Sequence, residues 1–339
     1  MRIATYNAEL KRDGPGLLLR DILRGQDAQI DAVRDVLLAL DADILVLQRV
    51  DFDHDLVALR ALRDLLAESG LDYPHIFARP PNTGVQTGLD LDGDGRLNRA
   101  ADGQGFGGFF GQGAMAIMSR HAFIEEEAQE FTTMLWRDLP GARLPMTAGR
   151  PFPSEEAQAV QRLSSVAHWV VPVDLPDGPL HLLTFHAAPP AFDGPEKRNI
   201  LRNHDEIVFW QRYLDGAFGP APEERFVLLG GATIDPVDGP GLKEGIIGLL
   251  EDPRLQDPAP MRPPGPMEDS PDHKGDPRLD TVAYATPVPG HLRGSYILPS
   301  VDLRVRDAGI LWPPVTDEFA DTVSRASRHR PVWIDIALD

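Results

Sequence analysis

The sequence predicts an α/β fold. Two observations carry that expectation. Apolar runs of strand length alternate with amphipathic helical stretches near the N-terminus, and the same alternation resumes after residue 166. A third supports it: 339 residues at 42% hydrophobic and 25% charged are enough to bury a large core. Residues 2–8 read as a buried strand. Over 27–40, Ile30, Val33, Leu37 and Leu40 recur at helical spacing. Residues 44–47 form a short apolar run suited to a central strand. Over 55–69, Leu56, Leu59, Leu62 and Leu66 repeat the helical period. A glycine-rich insertion at about 80–113 interrupts the pattern, and 114–118 returns to strand. Residues 166–173 and 180–185 read as strands joined at Pro176-Asp177-Gly178, followed by a helix at 199–214 and a buried strand at 226–229. Residues 252–277 carry eight prolines and predict an extended or mobile loop. Strands at 295–298 and 332–337 complete the set. The elements interleave without an internal repeat, so one domain over 1–339 is expected.

Charge and composition exclude some partners. The formal net charge is −19, with 52 acidic against 33 basic residues, which disfavours duplex nucleic acid because affinity for its backbone comes mainly from Lys and Arg. With no cysteine, disulfides and thiolate metal sites are excluded. No apolar stretch approaches the ~20 residues of a membrane span, and no charged and apolar leader opens the chain. The expectation is a soluble protein with no membrane partner, cytoplasmic if the chain is complete.

Five segments carry the chemistry: Ile3-Ala4-Thr5-Tyr6-Asn7, Leu45-Val46-Leu47-Gln48-Arg49, Leu183-Thr184-Phe185-His186, Leu229-Gly230-Gly231-Ala232-Thr233 and Ser327-Arg328-His329-Arg330. Between them lie Gly14-Pro15-Gly16-Leu17-Leu18-Leu19-Arg20-Asp21, Arg162-Leu163-Ser164-Ser165, Asn203-His204-Asp205-Glu206 and Gly275-Asp276-Pro277-Arg278-Leu279-Asp280-Thr281. In order and spacing these resemble the endonuclease/exonuclease/phosphatase superfamily, and within it a bacterial subgroup of phosphoesterases. The resemblance covers essentially the whole chain. It implies the DNase I-like fold: a four-layer αββα sandwich of two mixed sheets with outer helices. It also implies phosphate-ester hydrolysis with a divalent cation, usually Mg²⁺, held by an Asn and a Glu. An Asp-x-Asn pair then activates water, and two histidines steady the phosphoryl oxygens.

Against that pattern the chain keeps Asn7, His186 and His329 but puts Arg49 at the metal-binding Glu. Gly231 and Thr233 replace the Asp and Asn, Ser295 replaces the His-orienting Asp, and Arg328 replaces the Asp beside the last His. Each exchange of carboxylate for guanidinium moves the local charge by two units, so Mg²⁺ at the family position is not expected. Arg49, Arg328, His186 and His329 are instead candidates to bind a small anion such as a phosphate group, since Arg presents a fork suited to it. The competing readings are that the arginines pair with Asp51, Asp53 or Asp235 and that the histidines are ordinary core-edge residues. A further alternative is an active phosphomonoesterase or phosphodiesterase using relocated ligands, perhaps Glu9, Asp51 and Asp235. Another is an interaction protein with a vestigial pocket, using the proline-rich loop. Arg143 and Arg162 are expected to anchor loops, and His204 and Asp205 to favour a helix N-terminus. In the insertion, Asp90, Asp92, Asp94, Asn98 and Asp102 have the alternating pattern of a calcium loop, with a solvated acidic turn as the competing reading.

Overall fold

Period-two burial explains the architecture. The structure is a computed structural model that describes residues 1–266, 273–284 and 289–338. Its first sheet contains β1 (Arg2–Asn7), β2 (Ile44–Val50), β3 (His75–Phe77) and β4 (Ala114–Ser119). Its second contains β5 (Gln129–Glu130), β6 (His168–Val173), β7 (Leu180–His186), β8 (Phe226–Gly231) and β9 (Ser295–Pro299). Two late strands, β10 (Val305–Ile310) and β11 (Val332–Ile336), return to the first sheet. The strand orders are β10-β11-β1-β2-β4-β3 and β9-β8-β7-β6-β5. Both sheets are mixed: β1 runs parallel to β2 and β7 parallel to β8, while their other neighbours are antiparallel.

Along β2, Ile44 and Val46 face the other sheet, whereas Leu45 and Leu47 face helices. Along β8, Val227 and Leu229 point between the sheets, and Phe226 and Leu228 point to the opposite helical layer. Helices α1 (Leu17–Arg24), α2 (Ala28–Leu40) and α3 (Val57–Glu68) cover the first sheet. After the short α4 (Glu155–Val160), helices α5 (Arg198–Leu214) and α6 (Glu244–Leu250) flank the second sheet, and α7 (Ala320–Ala326) packs on α2. The result is helix, sheet, sheet, helix, as the DNase I-like expectation required. Because the central strands are buried on both faces, they read as continuous apolar runs.

The described part of the proline-rich stretch before residue 267 is extended and fastened to strand edges. Gln256 N donates to Pro299 O at 2.9 Å and Ile310 N to Met261 O at 3.1 Å, edging β9 and β10. Its Pro271, with the rest of 267–272, lies outside the described residues. Among the described residues, no helix is long and apolar enough to cross a membrane.

Candidate functional site

The parallel pairs bring the site together. β1 and β2 end side by side, Asn7 opposite Gln48, so Asn7 and Arg49 leave the first sheet at one edge. On the second sheet Gly231 pairs with both His186 and Ser295. The segment 327–330 runs into β11 at the same end, held by Ser327 Oγ donating to Asn7 O at 2.8 Å. The five segments singled out in the sequence therefore converge.

Three of the converging residues have unusual backbones. Glu9, Arg49 and Thr233 lie at φ of 49°, 60° and 54°, the left-handed region that non-glycine residues seldom occupy. Arg49 sits where the β2–β4 register slips between Gln48 and Val50, and such a bulge re-aims a side chain. Thr233 is occupied locally: its hydroxyl donates to Ala188 O at 2.8 Å and accepts from Asn203 Nδ2 at 3.2 Å.

The two arginines differ. Arg328 lies on the surface, its side chain 61% exposed, and closes on Glu9 with Nη2 to Oε1 at 2.5 Å. The partner foreseen among Asp51, Asp53 and Asp235 is thus Glu9 instead. The other three carboxylates are spent on backbone. Asp51 accepts from Arg12 N and Gly113 N at 2.8 and 2.9 Å. Asp53 caps α3 through Val57 N and Ala58 N. Asp235 accepts from Val237 N, Asp238 N and Arg293 N. Arg49 has no ion pair among the described residues, and its buried Nε has no hydrogen-bond partner. Lys11 flanks it: Arg49 Cδ and Lys11 Cβ lie 3.5 and 3.6 Å from where a Cβ on Gly113 would sit.

His186 and His329 are each 6% exposed, and Nδ1 of each lacks a partner. Burial, reinforced by Arg49 and then His329, holds His186 well below the ordinary histidine value. Burial also lowers His329, to about 4, with Arg49, Arg328 and Arg330 adding to the effect and Glu9 opposing it. Both rings are neutral at pH 7. For Glu9, burial pushes upward, but the Arg328 hydrogen bonds and the His329 and Arg328 charges hold it at about 2. Burial holds Arg49 below the ordinary arginine value, with the Glu9 charge opposing, and Arg49 has no ion pair of its own among the described residues.

The glycine at 231 is coupled to the histidine. A Cβ there would lie 2.3 Å from His186 Nδ1, so the ring occupies the space an aspartate at this position needs. Sequence reasoning missed Tyr284, whose ring meets His329 edge-on at 6.0 Å and lies 5.9 Å from the Arg328 guanidinium. It follows a motif that carries no sign of its destination.

The Asn203–Glu206 run braces the site rather than starting a helix. Helix α5 begins at Arg198, and Asp193 accepts from Asn199 N and Ile200 N, so the helix-start reading of His204 and Asp205 is corrected. Asn203 Nδ2 donates to Ala188 O and Ala232 O, joining the segments after β7 and β8. Glu206 accepts from Ser165 N and Ala188 N, and Asp205 from Trp136 Nε1 and Arg143 N. Arg162 Nη1 donates to Asn82 Oδ1 at 2.7 Å, a loop anchor.

In the insertion, Asp90, Asp92 and Asp102 bring carboxylate oxygens within 4.8 Å of one another, and Asp94 is not part of that group. The carboxylates already serve the backbone: Asp90 accepts from Gly93 N and Gly95 N, Asp102 from Leu91 N and Arg99 N.

Comparison with known proteins decides the lineage. The family model described as endonuclease/exonuclease/phosphatase family matches residues 4–329. The chain belongs to this family. A family protein from Beutenbergia cavernae shares 18% identity at TM-score 0.57, covering all of this chain and 71% of its own. One from Leptotrichia buccalis shares 14% at 0.53, with both chains fully covered. The Neisseria 3′ phosphatase NExo, solved with a product DNA hairpin, shares 17% at 0.51, covering 99% of each chain. These likenesses share the family fold. A search of curated proteins finds no match.

Proposed function

We propose that this chain binds a phosphate-like anion at a pocket built on Arg49 and does not hydrolyse phosphate esters through a metal at the family position. The observation that carries the proposal is the set of buried orphan atoms at one edge of the sandwich: Arg49 Nε, His186 Nδ1 and His329 Nδ1. Buried polar atoms left without partners are costly, and an oxyanion is a partner for donors of this kind. Arg49 supplies fixed positive charge. The two neutral imidazoles each offer one ring N–H or take one proton from a protonated ligand oxygen.

A divalent cation does not fit the same donors. Of the family's oxygen ligands only Asn7 remains, and the nearby Glu9 is committed to Arg328. Among the described residues, the one group of three or more His, Cys, Asp or Glu side chains close enough to hold a metal is the distant Asp90, Asp92 and Asp102 cluster. Repulsion from Arg49 would cost a divalent ion on the order of several kcal/mol at cleft dielectric. Relocation to Asp51 and Asp235 would break the backbone bonds those carboxylates hold.

The test is turnover of phosphomonoesters and phosphodiesters by the purified protein with Mg²⁺, Mn²⁺ or Ca²⁺. No rate above the protein-free control is expected. Turnover that disappears in His186→Ala would overturn the proposal.

A further inference from the structure

Strands β1 and β2 run on side by side past their last paired residues. Ala8 N donates to Gln48 O at 3.1 Å, which carries the parallel pairing one step further. The residues that follow are Glu9 and Arg49, both in the left-handed region. Gln29 Nε2 donates to Glu9 O and to Ala326 O, each at 3.1 Å, and so pins this turn to the end of α7. On the other side, β1 neighbours β11. There Ser327 Oγ donates to Glu9 Oε2 at 3.2 Å and accepts from His329 N at 3.0 Å. Glu9 therefore has Arg49 on one flank and the segment bearing His329 on the other.

The pair that Glu9 makes with Arg328 is lopsided. Its carboxylate is 15% exposed and its guanidinium 61%. Water screens the outer charge more than the inner one, so the negative end of the pair is the one felt within the site. Among the charges acting on Arg49 and on His329, that of Glu9 is the largest in both cases and exceeds that of Arg328. Burial opposes its ionisation, yet the Arg328 hydrogen bonds keep the carboxylate charged at neutral pH. An anion held at Arg49 meets this fixed negative charge. Attraction to Arg49 and repulsion from Glu9 both grow in proportion to the ligand's charge, whereas the cost of taking the ligand out of water grows with the square of that charge. We infer that Glu9 selects among oxyanions, setting the pocket to hold a singly charged phosphodiester in preference to a doubly charged phosphomonoester. This rests on the anion-binding reading and adds to it the class of ligand.

The experiment titrates dimethyl phosphate and methyl phosphate into the wild-type protein and into Glu9→Gln at pH 8, where the diester is a monoanion and the monoester a dianion. The wild type is expected to bind the diester more tightly, by about threefold. Glu9→Gln keeps the shape of the side chain and removes its charge. It is expected to tighten the diester by about threefold and the monoester by about tenfold, because a lost repulsion counts once for each ligand charge. Arg328→Gln strips Glu9 of its outer partner and is expected to move the preference further toward the diester, which decides the matter should Glu9→Gln fail to fold. A wild type that prefers the monoester, a Glu9→Gln effect equal for both ligands, or an unchanged preference in Arg328→Gln overturns the inference alone. Failure of both ligands to bind the wild type overturns the anion pocket and with it this inference.

Discussion

Arg49 and Arg328 occupy equivalent places in the sequence pattern, each standing where the family carries an acid, yet the structure gives them opposite fates. Arg328 is exposed and paired with Glu9. Arg49 is recessed, strained at φ 60°, and without an ion pair among the described residues. The difference is one of desolvation. An exposed guanidinium that finds a carboxylate contributes little, because water screens the pair. A recessed one without a counter-charge pays the cost of burial in the free protein and recovers it when an anion arrives. On the proposed reading the charge that meets the anion is therefore Arg49, while Arg328 is committed to Glu9.

Substitution of the two arginines separates their roles most sharply. Arg49→Gln is expected to weaken sulfate binding by about 2 kcal/mol, roughly thirtyfold, the range for a hydrogen bond to a charged group. Arg328→Gln is expected to change it by less than about fivefold, since the pair that the exposed Arg328 makes with Glu9 is worth no more than ~1 kcal/mol. Calorimetric titration of both variants makes the comparison, and equal losses would erase it. Gly231→Asp comes next. The new side chain meets the His186 ring, so unfolding stability should drop by about 1–3 kcal/mol in a denaturant titration, without gain of metal-dependent turnover. An unchanged midpoint would mean that the ring moves freely.

The smallest effect is on pH. Free His329 titrates at about 4, and a bound dianion beside it favours the protonated ring, so binding takes up a proton. Sulfate keeps its charge over this range. Its affinity should therefore rise as pH falls from 7 toward 5, by roughly threefold, and level off below 4. A flat profile would place the anion away from His329.

Much of the fold was legible because its central strands are apolar runs bounded by turn residues, as at 44–47 and 226–229. Strand β10, Val-Arg-Asp-Ala-Gly-Ile, was not, since it is an edge strand with largely exposed positions and no alternation to read. Helices α1, α6 and α7 are each eight residues or fewer, too short for helical spacing to stand out. In the site, the identities at 7, 49, 186, 231 and 329 were readable from their places in the motifs. Their consequences were not. The Glu9–Arg328 pair joins residues 319 positions apart, and Tyr284 reaches His329 from a segment without a chemical signature. The exclusion of a side chain at 231 by the His186 ring exists only once β7 and β8 lie in register. Asn203–Glu206 was misplaced for a local reason: Asp193 caps α5 from outside the helix, several residues upstream of the acids that look like caps.

The most direct test is a crystal soaked in Mn²⁺ and sulfate, measured at a wavelength where manganese scatters anomalously. Sulfate density within hydrogen-bonding distance of Arg49, with no anomalous peak near Asn7 and Glu9, is the expected result. A manganese peak coordinated by Asn7 and Glu9, with Arg328 swung away, would contradict the claim that an anion has taken the metal's place.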